Sequence, residues 1–463
     1  MQVTTPNIQQ QHLTELIERY TKRTKTSKQK TQSYRPVLAD PRVPDWFHPS
    51  IKEMCYLIVG KQAKGSRIWD IDGNEYVDII MGFGANLLGH NPPFIQEAIT
   101  EQLQKGIALG PQSELAGEVA QLISEITGME RVAFSNTGTE AVMTAIRLAR
   151  AATKRSKIVV FSGSYHGHFD GTLAKAQTPE NPHGVPIAPG ILSSMVEDVL
   201  VLDYGSSHSL EIIKTYQDEL AAVLVEPIQT RRPDLQPKEF LQQLRLITQE
   251  SGIALIFDEM ITGFRLHLGG AQAWFGIEAD IATYGKIVGG GMPIGVIAGK
   301  AIYMDKIDGG IWDYGDASFP QVERTLFAGT HCKHPLSMAA AWATLKYLKL
   351  QGNSLQEELN QRTAQYVEKL NIFFTANQIP IRMTQFGSFF GPILLEDAFP
   401  ADVATLMMGI NLIRYHLFDR GILLRGEGGG FLSTSHTDED INYIVQAMKD
   451  SINELQAAGF FPH

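Results

Sequence analysis

The run Leu255-Ile256-Phe257-Asp258-Glu259 constrains this chain more tightly than any other: an unbroken apolar stretch that ends in two carboxylates. A strand apolar on both faces is buried between layers, as in a parallel sheet covered by helices, and here it delivers an acid at its carboxyl end. Downstream, Tyr284-Gly285-Lys286-Ile287-Val288-Gly289-Gly290-Gly291 sets a lysine on a short turn. The three glycines behind it let backbone approach a ligand closely. Read singly, Asp258 is a structural acid at a βα turn and Lys286 a surface cation. Read together, they meet the needs of pyridoxal 5'-phosphate. The lysine amine forms a Schiff base with the aldehyde, and the acid keeps the pyridine nitrogen protonated so that the ring acts as an electron sink.

The upstream half supplies the remaining parts. Phe134-Ser135-Asn136-Thr137-Gly138-Thr139-Glu140-Ala141 leads into Ala145-Ile146-Arg147-Leu148-Ala149-Arg150-Ala151, a stretch of strong helix propensity. Thr137, Gly138 and Thr139 at that helix start offer free backbone N–H groups, hydroxyl donors and the positive end of the dipole, which is a phosphate site. Plain N-capping by Asn136 or Thr137 is the competing reading. Lys157-Ile158-Val159-Val160-Phe161 reads as a strand that ends in Gly163-Ser164-Tyr165-His166-Gly167-His168. Tyr165 there can stack on a cofactor ring or belong to the core. The His166/His168 pair lacks a third ligand at useful spacing, so no metal is expected.

These segments resemble the fold-type I pyridoxal-phosphate enzymes of aminotransferase class III, in the branch around glutamate semialdehyde aminomutase. The resemblance runs from about Arg67 to the C-terminus, and the Thr262-Gly263-Phe264-Arg265 stretch belongs to it. It implies an α/β fold with a large domain built on a mostly parallel seven-stranded sheet, plus a smaller α+β domain. It also implies Lys286 as Schiff-base lysine and proton carrier, Asp258 on the pyridine nitrogen, Tyr165 on the ring with His166 beside it, and Thr137, Gly138 and Thr139 around the phosphate. Glu226, closing the strand Ala222-Val223-Leu224-Val225, corresponds to an acid near the ring's 3-hydroxyl, with Gln229 one short turn beyond. Thr330 matches a threonine that reaches the neighbouring subunit's phosphate, which implies a homodimer with shared active sites.

The chain is more similar still to aminotransferase domains of hybrid polyketide/non-ribosomal peptide synthases. That similarity rests on Ser66–Tyr76, Tyr34–Asp40 and Phe327–Leu336. It implies transfer of an amino group from glutamate or another amino acid to a β-keto acyl thioester or related fatty carbonyl, arriving free or on a carrier protein. The aminomutase pattern carries a Ser-Gly-Asn-Pro type tetrapeptide where this chain has Cys332-Lys333-His334-Pro335, and Asp308–Asp316 is longer and more aromatic than a mutase needs. Leu424–Gly430 departs from the synthase domains, which show a tryptophan-containing segment there. An aminomutase and a non-catalytic protein that keeps the fold are the alternatives. For a substrate carboxylate the candidates are Arg35 and Arg425, with Arg265 competing.

Composition bounds the rest. At 463 residues the chain holds one large α/β domain plus a smaller one, and its net charge of −10 argues against a nucleic-acid partner. No run of 18 apolar residues spans a membrane, and the polar, Gln-rich start is no signal peptide, so a cytoplasmic protein is expected. Cys55 and Cys332 lie far apart and read as free thiols. Leu13, Leu16, Ile17 and Tyr20 form a two-turn apolar stripe, and the basic, polar Thr21–Lys30 after it reads as a linker. The expected divisions are 1–35 as helix and linker, 36–109 as the first part of the small domain, 110–335 as the large cofactor domain and 336–463 as the rest of the small domain. Leu336–Leu350 reads as a helix, Phe431–Thr437 as a strand and Asp438–Ala457 as a final helix.

Overall fold

Nine strands form one sheet in the order Arg131–Ser135, Gly295–Gly299, Ile281–Tyr284, Ala254–Asp258, Leu220–Val225, Lys157–Phe161, Val199–Leu202, Asn181–Pro186, Ala174–Thr178. Gly295–Gly299 runs antiparallel to both of its neighbours, while every pairing from Ile281–Tyr284 across to Val199–Leu202 is parallel. The first seven are the mostly parallel sheet that the sequence predicts. The last two are an antiparallel hairpin, joined through His183 opposite Leu200. Its strands are polar and partly exposed, so they carry no continuous apolar run to betray them.

The computed structural model describes residues 8–43, 47–400, 402–426 and 428–462. They divide into two units, one spanning Pro93–Glu358 and the other combining residues up to Pro92 with those from Leu359 onward. In the larger unit the sheet is buried because its strands are apolar on both faces. Leu220–Val225 is wholly inaccessible, and burying each such Leu or Val side chain contributes roughly 1.5–3 kcal/mol. The helix Gly138–Thr153 lies on the sheet through Ala141, Ala145 and Ala149, all at 0% exposure. The helices Pro93–Lys105 and Leu115–Thr127 both pack on Pro335–Gln351. That packing places all three in the larger unit, so the structural divisions at 92/93 and 358/359 lie outside the 110–335 read from the sequence.

The smaller unit holds a sheet ordered Gly60–Lys64, Arg67–Asp70, Glu75–Asp78, Ile422–Leu423 and a second ordered Ile381–Phe386, Phe389–Leu394, Gly430–Phe431. The helix Ile8–Arg23 packs on Val403–Asp419, burying Leu13, Leu16 and Tyr20. His12 Nε2 meets His416 Nε2 at 3.0 Å in the same contact. Its apolar stripe is therefore spent on its own chain. The expected linker is instead a second helix, Lys25–Tyr34. Asp72 is the reason: its carboxylate accepts from the Thr26 N–H at 2.5 Å and from the Ser27 N–H and hydroxyl at 2.9 Å each, capping the helix from outside.

Of the expected strand Phe431–Thr437, only Phe431 is in a strand. Beyond it the Ser433 N–H donates to His436 Nδ1 at 3.0 Å, curling the chain into the Thr437/Asp440 capping box that opens Asp438–Ala457. Among the described residues no helix is long and apolar enough to cross a membrane.

Candidate active site

Asp258 ends its strand buried, directly in register with Thr283 on the neighbouring parallel strand. Its carboxylate accepts from three donors: His166 Nδ1–H at 2.7 Å, the Met260 N–H at 3.1 Å and the Thr283 hydroxyl at 3.5 Å. His166 is buried with it, and its Nε2 has no hydrogen-bond partner. A ring nitrogen left so is available to a bound group.

Glu226, one residue past the Leu220–Val225 strand, accepts from the Tyr165 N–H at 3.3 Å and the Thr230 N–H at 3.1 Å. Burial pushes its carboxyl above the usual range; the neighbouring His166 works against this and Asp258 with it. Gln229 Nε2 donates to the Ser162 carbonyl at 2.9 Å and the Ser164 hydroxyl at 2.8 Å, clamping the loop that carries Tyr165. Tyr165 is 61% exposed, with its backbone tied to this cluster of buried acids.

Thr137 caps the helix Gly138–Thr153, its hydroxyl accepting from the Glu140 N–H at 3.2 Å. The capping reading and the phosphate reading are thus compatible. The cap uses the Glu140 N–H, while those of Gly138 and Thr139 point out of the first turn, where a helix has no partner of its own for them. The Thr139 hydroxyl accepts from the His168 N–H at 3.3 Å. A Cβ on Gly167 would stand 2.3 Å from that hydroxyl oxygen, so helix start and Tyr165–His168 loop are in close contact.

Lys286 follows the Ile281–Tyr284 strand and begins a short turn at φ +25°, in the left-handed region where a side chain is strained. Of the three glycines behind it, Gly290 is also demanded by packing. A Cβ on Gly290 would meet the Thr344 hydroxyl at 2.6 Å, on the helix Pro335–Gln351.

Thr330 stands on an exposed segment that runs back along Gly138–Thr153. Lys154 binds Glu323 at 2.5 Å, Arg147 donates to the Leu326 carbonyl at 3.0 Å, and a Cβ on Gly329 would lie 3.4 Å from Asn136 Nδ2. The segment thus brings Thr330 to the amino end of the helix in its own chain. Cys332 packs there against Gly329, and burial raises its thiol pKa, which suits a packing residue.

Arg265 is 1% exposed, and burial holds its guanidinium down at about 9, so it is not presented to solvent for an incoming carboxylate. Arg35 and Arg425 belong to the smaller unit, Arg35 capping Lys25–Tyr34 and Arg425 bridging to Gly429; Glu427, between them in the Leu424–Gly430 stretch, lies outside the described residues. Two participants escaped the sequence reading. Thr283 becomes visible only once the strands are in register, and Met260, two places past Asp258, reads as one more apolar residue.

A buried acid paired with an imidazole, a helix start with outward N–H groups and a lysine on a strained turn lie within one unit, linked by direct contacts. This donor set fits a ligand with an anionic end, a ring nitrogen to be held positive and a carbon that an amine attacks.

Comparison with known proteins agrees. Residues 49–433 match the family model for aminotransferase class-III. The glutamate-1-semialdehyde 2,1-aminomutase of Alkaliphilus oremlandii is 36% identical over 403 residues, covering 86% of this chain and 91% of its own. Among solved structures, an omega-transaminase from Sphaerobacter thermophilus superposes with a TM-score of 0.82 at 28% identity, covering 93% of this chain and 98% of its own. The beta-phenylalanine aminotransferase of Variovorax paradoxus does so at 0.81 and 29%, covering 96% and 98%.

Proposed function

The chain belongs to the class-III aminotransferases, a family that uses pyridoxal 5'-phosphate, and on that premise we propose that it moves an amino group from glutamate or another amino acid to a β-keto acyl thioester or related fatty carbonyl in polyketide/peptide natural-product biosynthesis. When bound, the cofactor supplies an aldehyde carbon for amine exchange and a ring that takes up negative charge from the substrate's α-carbon. The chain's residues do the rest. Gly138 and Thr139 hold the phosphate with their N–H groups, and Thr137 fixes the helix start. Asp258 holds a proton on the ring nitrogen because a buried carboxylate stabilises the cation beside it, and His166 fixes that carboxylate's orientation. Tyr165 covers the ring, with Glu226 and Gln229 setting its loop. Lys286 Nζ takes the proton from the α-carbon and returns it at the neighbouring position. Thr330 adds a phosphate contact, in a homodimer whose two sites are shared.

The choice of acceptor is carried by the segment after Asp308. Ile311 and Tyr314 are 78% and 92% exposed, and Trp312, 41% exposed, stacks edge-on against Tyr314 at 4.9 Å. Apolar side chains held in solvent suit a surface that receives an acyl chain. A transferase must also release one product before it admits the next partner. The aminomutase reading is favoured by the names of the curated relatives and by Arg35 as a candidate for a substrate carboxylate.

A half-reaction separates the two. Glutamate alone should change the cofactor's visible spectrum and release 2-oxoglutarate stoichiometrically, and an acyl β-keto thioester should then reverse the change with a β-amino product. A spectrum indifferent to glutamate, with glutamate semialdehyde turned over to 5-aminolevulinate, would establish the aminomutase instead.

A further inference from the structure

Met260 donates its backbone N–H to Asp258, but its side chain does something unrelated to that bond. The thioether reaches between two glycines from distant parts of the larger unit. A Cβ built on Gly138 would stand 2.8 Å from Met260 Sδ, 3.3 Å from Cε and 3.4 Å from Cγ; a Cβ built on Gly285 would stand 2.8 Å from the same sulfur. Real Cβ contacts stay beyond 3.0 Å. Gly138 opens a regular helix, so its backbone does not itself call for a glycine. At Gly138 the space a side chain would need is held by the Met260 thioether alone, while at Gly285 the sulfur shares it with the Ile294 carbonyl oxygen, 3.1 Å from the built Cβ. Gly138 begins the phosphate-holding helix, and Gly285 is the residue before Lys286. A single polarizable atom therefore lies against the backbone of both attachment points.

We propose that Met260 is a positioning residue that sets the distance between the phosphate-holding N–H groups of Gly138 and Thr139 and the amine of Lys286. This rests on the reading of those residues as the cofactor's two anchors. A rigid ligand held at both ends tolerates little error in their spacing, and a displacement near 1 Å can cost about 100-fold in a rate. Methionine suits the task because its unbranched thioether fills an irregular gap between close backbones. The role differs from that of Asp258, since Met260 offers no charge or proton; it acts through the two segments it separates.

The test compares the wild type with Met260→Ala, Gly138→Ala and the double variant. It measures the rate of pyridoxal-phosphate release into a scavenger, the visible absorption maximum and the unfolding midpoint of each apoprotein. Met260→Ala should release the cofactor about tenfold faster with a shifted maximum, while its apoprotein unfolds within a degree or two of the wild type. Gly138→Ala should also release faster, because its new methyl strikes the sulfur. The double variant should release more slowly than either single one, because the methyl then occupies the vacated space. If Gly138→Ala does not fold, Met260→Leu takes its place: by refilling the gap with a side chain of similar volume it should release the cofactor more slowly than Met260→Ala, and release as fast as Met260→Ala overturns the proposal.

Wild-type release and maximum in Met260→Ala overturn the proposal. So does a double variant whose defect equals the product of the two single ones, since independent sites multiply. The reading beneath it is checked separately, by borohydride fixation in the wild type. A label absent from Lys286, or found on Lys300 or Lys306, removes the anchors themselves.

Discussion

At the scale of single residues, Asp258 shows how a strand end becomes a chemical group. Asn has nearly the same size and keeps the contacts with the Met260 N–H and the Thr283 hydroxyl, but it removes the charge that steadies a protonated ring nitrogen. Asp258→Asn should lower turnover about 100-fold or more with an unchanged far-UV circular dichroism spectrum; a loss under about threefold would mean that the charge is not used. His436 gives a prediction about stability. It is buried, accepting from the Ser433 N–H on Nδ1 and lying 3.1 Å from the Asp78 carbonyl on Nε2. Both contacts suit the neutral ring protonated at Nε2, and a second proton would face the Ser433 N–H head-on. Burial accordingly lowers its pKa from 6.5 to about 4. The unfolded chain then binds more protons than the folded one, so the contribution is present above pH 6.5 and is lost as pH falls through 4. It amounts to about 3 kcal/mol. Urea unfolding at pH 7.5 and pH 4.5 should show that loss in the wild type and much less in His436→Gln. An equal loss in both would assign the acid limb to other groups.

At the scale of elements, what was legible in the sequence was what local pattern determines. Lys157–Phe161 and Asp438–Ala457 begin and end where their apolar runs and caps place them. The placement of Asp258, Lys286 and Thr137–Thr139 was legible for the same reason, since each sits at the junction of a strand or helix with a turn. What local pattern could not reveal was set by distant partners. Gly290 is crowded by Thr344 on a distant helix, and the register that brings Thr283 to Asp258 belongs to the sheet. Lys25–Tyr34 has the composition of a linker and becomes helical through a carboxylate about 45 residues away. Asp72→Ala should therefore cost about 1 kcal/mol. Amide exchange in residues 25–34 should accelerate while Asp438–Ala457 stays protected; unchanged exchange in 25–34 would show that the helix stands without its external cap.

At the scale of the molecule, the position of Thr330 makes the sharing of sites a measurable question. Inactive Lys286→Ala chains mixed with Thr330→Ala chains should recover activity if each site draws its threonine from the other subunit. One mixed site then carries both lesions and the other carries none. If each threonine serves its own helix, as its nearness to Asn136 allows, no mixed site is intact and nothing returns. The loop that holds Thr330 has a further consequence, because a cut in the exposed stretch around Gly315 divides the larger unit and parts the two pieces of the smaller one. Before it come Glu75–Asp78 and Pro93–Lys105; after it come Ile422–Leu423, which pairs with the first, and Pro335–Gln351, which packs on the second. Two polypeptides parted near Gly315 would each own an unfinished half of both units, and each could be completed only by the other. The enzyme is therefore suited to being made as a split pair, inert apart and assembled on mixing, with the exposed ribbon as the place to cut.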